Sequence, residues 1–141
     1  MKTIKTFLLL FSIISIPLSA QTTKRVVKSS GTVNKIEAYY FHYTSRCVTC
    51  KTVEAEAKKN LETLYPQLVK KGLLSFRSLN LEESAGEALA KKLEVSGQTL
   101  LLVKGNNKIN ITNEGFLYAR SNPEKFKSVI KEKVDELLKN K

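Results

Sequence analysis

Polar and apolar positions along this chain fall into blocks of two different periods. Ile36 to Tyr43, IEAYYFHY, is apolar on nearly every position and rich in strand-favouring aromatics. It predicts a central strand covered on both faces. The spacing then lengthens: Val53, Ala57, Leu61, Leu64 and Leu68 recur at helical intervals and predict a buried stripe. Pro66 should break or kink that helix near Leu64, because its ring clashes with the preceding turn. Lys70-Lys71-Gly72 supplies a stop, with cations at the negative helix end and glycine just beyond.

Leu73 to Leu81, LLSFRSLNL, predicts a second strand. Ser84 to Glu87 has capping-box spacing and opens a helix through Leu93, expected to be buried through Ala85, Ala88, Leu89 and Leu93. Thr99 to Lys104, TLLLVK, is a third strand with a continuous apolar run. Gly105-Asn106-Asn107 is a turn, and Lys108 to Thr112, KINIT, alternates as the fourth strand of a hairpin. Asn122 caps a last helix with Pro123 in its first turn. Phe126, Val129, Ile130, Val134, Leu137 and Leu138 give that helix one apolar face. The order β-α-β-α-β-β-α describes an α/β domain, one sheet with helices on both faces.

The first twenty residues stand outside this pattern. Lys2 and Lys5 precede an apolar run from Phe7 to Leu18, and Ser19-Ala20 ends it. Residues 1–20 are thus expected to be a secretory signal cleaved after Ala20, which makes the mature protein periplasmic or extracellular. The apolar run is shorter than the ~20 residues of a spanning helix and contains Pro17, so no stable membrane span is expected after cleavage. Residues 21–34 are polar, hold Gly31 and read as a linker, with a short strand possible near Arg25 to Val27. Residues 35–141 form one domain.

Charge changes the picture little. The net charge of +11 over 141 residues becomes +9 when Lys2 and Lys5 leave. The lysines are spread along helices without a single basic run, so a solvated surface is expected and no nucleic-acid partner. Asn110-Ile111-Thr112 has the form of a glycosylation acceptor but lies in the predicted fourth strand.

The cysteine count matters more. Cys47 and Cys50, in TSRCVTCK, are the only two in the chain. An exported cysteine pair can be oxidised and cycled. As a passive staple it would close a four-residue loop, which stabilises by only ~2 kcal/mol on chain-entropy grounds. The spacing also suits a metal site.

The chain resembles the thioredoxin superfamily across residues 35–140. The resemblance rests on a CxxC at the exit of the first core strand and on LNLEESAGEALAKKLEVSGQTLLLVKG, Leu79 to Gly105. More narrowly, YFHYTSRCVTC, FRSLN and VSGQTLLLV are similar to a group of small exported thioredoxin-like proteins often labelled nitrophenyl compound nitroreductase subunit. No stretch here resembles a flavin or nicotinamide site. The resemblance implies a thioredoxin-like four-stranded mixed sheet, and a redox-active Cys47–Cys50 disulfide in place of any cofactor. It also implies a disulfide-containing protein or small molecule as substrate, and a further redox partner that recharges the pair.

Two positions depart from the family pattern. Gln98 stands before Thr99 where the family has a cis-proline, so a trans peptide and a differently shaped loop are expected, because a non-proline cis bond costs ~2.5–4 kcal/mol. Phe41 stands where many members keep a buried acid, so any proton relay must use water, His42 or another carboxylate.

At the mouth of a helix, unpartnered amides and the helix dipole favour a thiolate on Cys47, with Arg46 beside it. Cys50, one turn further in, should be more buried and less ionised. Cys47 is therefore expected to attack and Cys50 to resolve. Two other readings stay open. His42, the only histidine, could join Cys47 and Cys50 as a third ligand for zinc or copper(I). The fold could also serve as a binding module without turnover.

Overall fold

The computed structural model describes residues 35–139, so the predicted signal, the linker and its Arg25 to Val27 strand lie outside the described residues. Nine elements follow in order: β1 (Ile36–His42), α1 (Val48–Leu64), α2 (Pro66–Lys70), β2 (Leu74–Asn80), α3 (Ser84–Leu93), β3 (Thr99–Lys104), β4 (Asn107–Asn110), α4 (Thr112–Tyr118) and α5 (Pro123–Lys139). The sheet runs β2-β1-β3-β4. β1 pairs parallel with β2, while β1–β3 and β3–β4 are antiparallel.

β1 is apolar at every position but Glu37 and His42 because it is covered on both sides. Successive side chains of a strand point to opposite faces. Ile36, Ala38 and Tyr40 join one buried cluster with Val53, Ala57 and Leu61 of α1 and Phe126, Ile130, Val134 and Leu137 of α5. Tyr39 and Phe41 join the other, with Leu79, Ala90, Leu101 and Val103 beneath α3. A two-period strand and a continuous apolar run are thus the same observation.

Five predictions shift. Pro66 does end α1, but the chain resumes as α2 with Pro66 at its first turn, where a missing N–H does no harm. The α3 cap is not the expected box: Glu83 holds the cap position without a side-chain bond, and Ser84 is already helical. The α3 face also rotates. Gly86 and Ala90 are its buried residues and Leu89 and Leu93 pack beside them, while Ala85 and Ala88 are exposed. The fourth strand stops at Asn110, whose Oδ1 accepts from both the N–H (3.0 Å) and the hydroxyl (2.6 Å) of Thr112. That local turn ends the ladder and starts α4, a helix absent from the sequence expectation. Leu138, expected on the α5 core face, is 40% exposed.

Candidate functional site

The site forms where β1 gives way to α1. In the β1–β3 ladder Phe41 lies opposite Thr99, so the last residues of β1 and the loop before β3 meet at one edge. Cys47 takes the cap position of α1 with extended backbone, φ −70° and ψ 165°. Its sulfur accepts the Cys50 N–H at 3.1 Å. The helix thus places a cysteine where Ser, Thr, Asp or Asn ordinarily satisfy a first-turn amide. Cys47 is exposed, Cys50 is 6% exposed, and the two are joined in a disulfide with Cα atoms 5.1 Å apart.

The loop from Tyr43 to Arg46 is held from the neighbouring strand. Leu81 N–H donates to the His42 carbonyl at 2.7 Å, and Asn80 Nδ2 donates to the Thr44 hydroxyl at 2.8 Å. Glu82 accepts the Thr44 N–H at 2.7 Å, and hydrogen bonding from the Thr44 hydroxyl and then this N–H holds its carboxyl below the usual range. Asn80 itself is fixed because its Oδ1 accepts the Glu82 N–H at 3.0 Å. Neither Asn80 nor Thr44 stood out in the sequence. The only signal was their position at a strand end beside a parallel partner.

Arg46 is placed beside Cys47 as expected, but its guanidinium pairs with Glu54, and the two side chains are 23% and 24% exposed. The charge available to a Cys47 thiolate is therefore shared with a carboxylate. Glu54 lies four residues after Cys50, on the same helix face. His42 donates from Nδ1 to the Tyr43 carbonyl at 2.8 Å, since a carbonyl can only accept. Among the described residues, no three His, Cys, Asp or Glu side chains gather as a metal-ligand set. In the disulfide form His42, Cys47 and Cys50 are not gathered into such a set, and His42 Nδ1 is engaged by the Tyr43 carbonyl.

No cis peptide bond occurs among the described residues, so the Gly97–Gln98–Thr99 loop is trans, as expected for a non-proline. Thr99 is 8% exposed and its hydroxyl donates back to the Gly97 carbonyl at 3.0 Å. Gln98 reaches inward and donates to the hydroxyl of Tyr40. Burial raises the Tyr40 phenol above its ordinary pKa, with the Gln98 bond pulling the other way. The phenol therefore keeps its proton at neutral pH. Beside the loop lies a groove of about 340 Å³ whose lining includes Tyr43, Leu81, Ala90, Val95 and Gly97.

No family model matches the chain, and no curated protein matches it. Among solved structures it is similar to thioredoxin O2 from Arabidopsis thaliana in its oxidised state, with 19% identity and a TM-score of 0.46 over 70% of this chain and 75% of that one. It is similar to the germline-specific thioredoxin Deadhead from Drosophila melanogaster, with 17% identity and a TM-score of 0.42 over 70% and 81%. A malarial protein matches with 25% identity and a TM-score of 0.39 over 53% and 75%. The fold is carried by the strand order and register themselves. With a β2-β1-β3-β4 sheet and a bridged cysteine pair where its inner strand hands over to a helix, the chain is thioredoxin-like in fold and holds a CxxC pair at disulfide distance.

Proposed function

We propose that this chain is an exported thiol–disulfide oxidoreductase in which Cys47 attacks and Cys50 resolves. One observation carries the reading: the bridge spans the cap of α1, with one sulfur exposed to solvent and the other buried. The Cys50 N–H that meets Cys47 Sγ is a donor already aimed at the atom that becomes negative on reduction. A hydrogen bond to an ionised acceptor is roughly twice as strong as one to a neutral acceptor. That amide therefore favours the thiolate over the thiol, and the thiolate is the attacking species.

In the reducing direction, Cys47 thiolate forms a bond to one sulfur of a substrate disulfide, and the other sulfur leaves as thiolate. Cys50 gives up its proton and bonds to Cys47 Sγ. The second substrate sulfur leaves, and two electrons have passed from the pair to the substrate. The oxidising direction is the reverse. The substrate is a disulfide-bearing protein or small molecule, and a separate redox partner restores the pair. The N-terminal apolar segment supports an oxidising compartment.

Trapping tests this reading. Cys50→Ser should accumulate mixed disulfides on Cys47, whereas Cys47→Ser should accumulate none. Equal trapping by both variants, or by neither, overturns it.

A further inference from the structure

Tyr40 lies on the face of β1 covered by α1, and its side chain is fully buried. Its hydroxyl donates to the backbone carbonyl of Cys50 at 2.9 Å. A carbonyl can only accept, so the single phenolic proton is committed to Cys50. The Tyr40 oxygen then has only lone pairs left, and Gln98 must turn its NH₂ toward it. The direction of every bond is fixed: Gln98 amide to Tyr40 oxygen, Tyr40 proton to Cys50 carbonyl.

We infer that Gln98, acting through Tyr40, is a positioning residue that holds the resolving cysteine against Cys47. The Cys50 carbonyl belongs to the first turn of α1, where it also takes the helical bond from residue 54. The Tyr40 bond ties that turn sideways to the sheet. The β1–β3 register brings residue 98 to the tyrosine, since Tyr40 lies opposite Leu100. Gln98 and Tyr40 together therefore link the loop before β3 to the helix that carries the pair. The resolving step is an intramolecular attack, and its rate follows how closely the two sulfurs are held in reacting geometry. Loosening the first turn lowers the effective concentration of Cys50 at Cys47. This slows resolution and makes the disulfide easier to reduce, while first attack by Cys47 is left intact.

This inference rests on the dithiol–disulfide reading, and one assay separates the two. Reduced protein is mixed with 5,5′-dithiobis(2-nitrobenzoate), and release of thionitrobenzoate is followed. Cys47 thiolate attacks, forms a mixed disulfide and expels the first thionitrobenzoate. Cys50 loses its proton to solvent, bonds to Cys47 Sγ and expels the second.

In Gln98→Leu and Tyr40→Phe the second release should slow by about tenfold with the first almost unchanged, and the double variant should be no slower than the slower single one. A tenfold loss in the closure equilibrium also moves the potential by about 30 mV toward easier reduction, read in glutathione buffers. Gln98→Glu keeps the shape but cannot donate when ionised, so it should behave like Gln98→Leu. A merely space-filling role would tolerate it. An unperturbed first release shows that each variant is folded. If the wild type gives two releases and the variants keep its second rate and potential, the positioning role is overturned. If the wild type releases only one, the oxidoreductase reading falls, and this inference with it.

Discussion

Gly86 offers a sharp test of how the sheet holds the site. It lies in the first half of α3, where the helix crosses the end of β2. A Cβ built there meets the Asn80 carbonyl oxygen at 1.8 Å and its carbon at 2.6 Å. Non-bonded carbon atoms prefer about 3.5–4.0 Å, so α3 must lift by more than about 1 Å or the Asn80 backbone must give way. Neither neighbour is the free end of a flexible side chain.

Overpacking of this kind costs about 1–3 kcal/mol, and the severity of the contact puts Gly86→Ala at the upper end. Helix propensity works the other way, by about 1 kcal/mol in favour of alanine. The net expectation is a loss of about 2 kcal/mol, or roughly 10 °C in melting temperature for a domain of this size. Because Asn80 also holds Thr44, the loop ahead of Cys47 should be disturbed as well. Urea unfolding monitored by circular dichroism measures the first effect, and the Thr44 amide resonance the second. The exposed control Ala88→Gly should lose about 1 kcal/mol from propensity alone and leave Thr44 unmoved. A Gly86→Ala protein as stable as wild type, or more so, refutes the reasoning.

Other outcomes follow from the same contacts. Glu54→Gln releases the Arg46 charge toward Cys47 and should speed its alkylation at neutral pH by about two- to fivefold, the scale of about 0.5–1 kcal/mol for one partly exposed charge. Arg46→Met should slow it, and a change in the opposite sense in either variant contradicts the pairing. The Glu82 carboxyl has a folded pKa below its unfolded value. Its anchor on Thr44 is therefore fully present above the ordinary carboxylate range and lost as pH falls through and beneath that range. The Thr44 amide shift should follow this titration, and Glu82→Ala should abolish it. Phe126→Ala removes a fully buried ring between α5 and the sheet and should cost about 3–5 kcal/mol in denaturant titration.

The inner strands β1 and β3 were legible because they are buried on both faces and leave nearly unbroken apolar runs such as the LLLV of TLLLVK. The α1 and α5 faces were legible for the same reason at helical spacing. What escaped depended on single side chains competing with regular structure. Asn110 drew the Thr112 amide and hydroxyl to itself and converted the end of KINIT into α4. At α3, close passage over the Asn80 backbone selected Gly86 for the buried face, and no periodicity signals a need for a missing side chain.

The site divides in the same way. Cys47 and Cys50 announced themselves by spacing, and Gln98 by departing from a family pattern. Its partner Tyr40 was hidden among three strand aromatics, because only the register of β3 decides which of them a glutamine can reach. Glu54 was a helix glutamate like several others until the loop brought Arg46 to it.

Reactivity of the reduced pair goes most directly to the central claim. The fully reduced protein is given a limiting amount of iodoacetamide at neutral pH, and the modified residue is read by peptide mass analysis. Cys47 should be alkylated first and faster than free cysteine, with Cys50 protected. Alkylation of Cys50 ahead of Cys47, or a Cys47 no faster than free cysteine, would contradict the account.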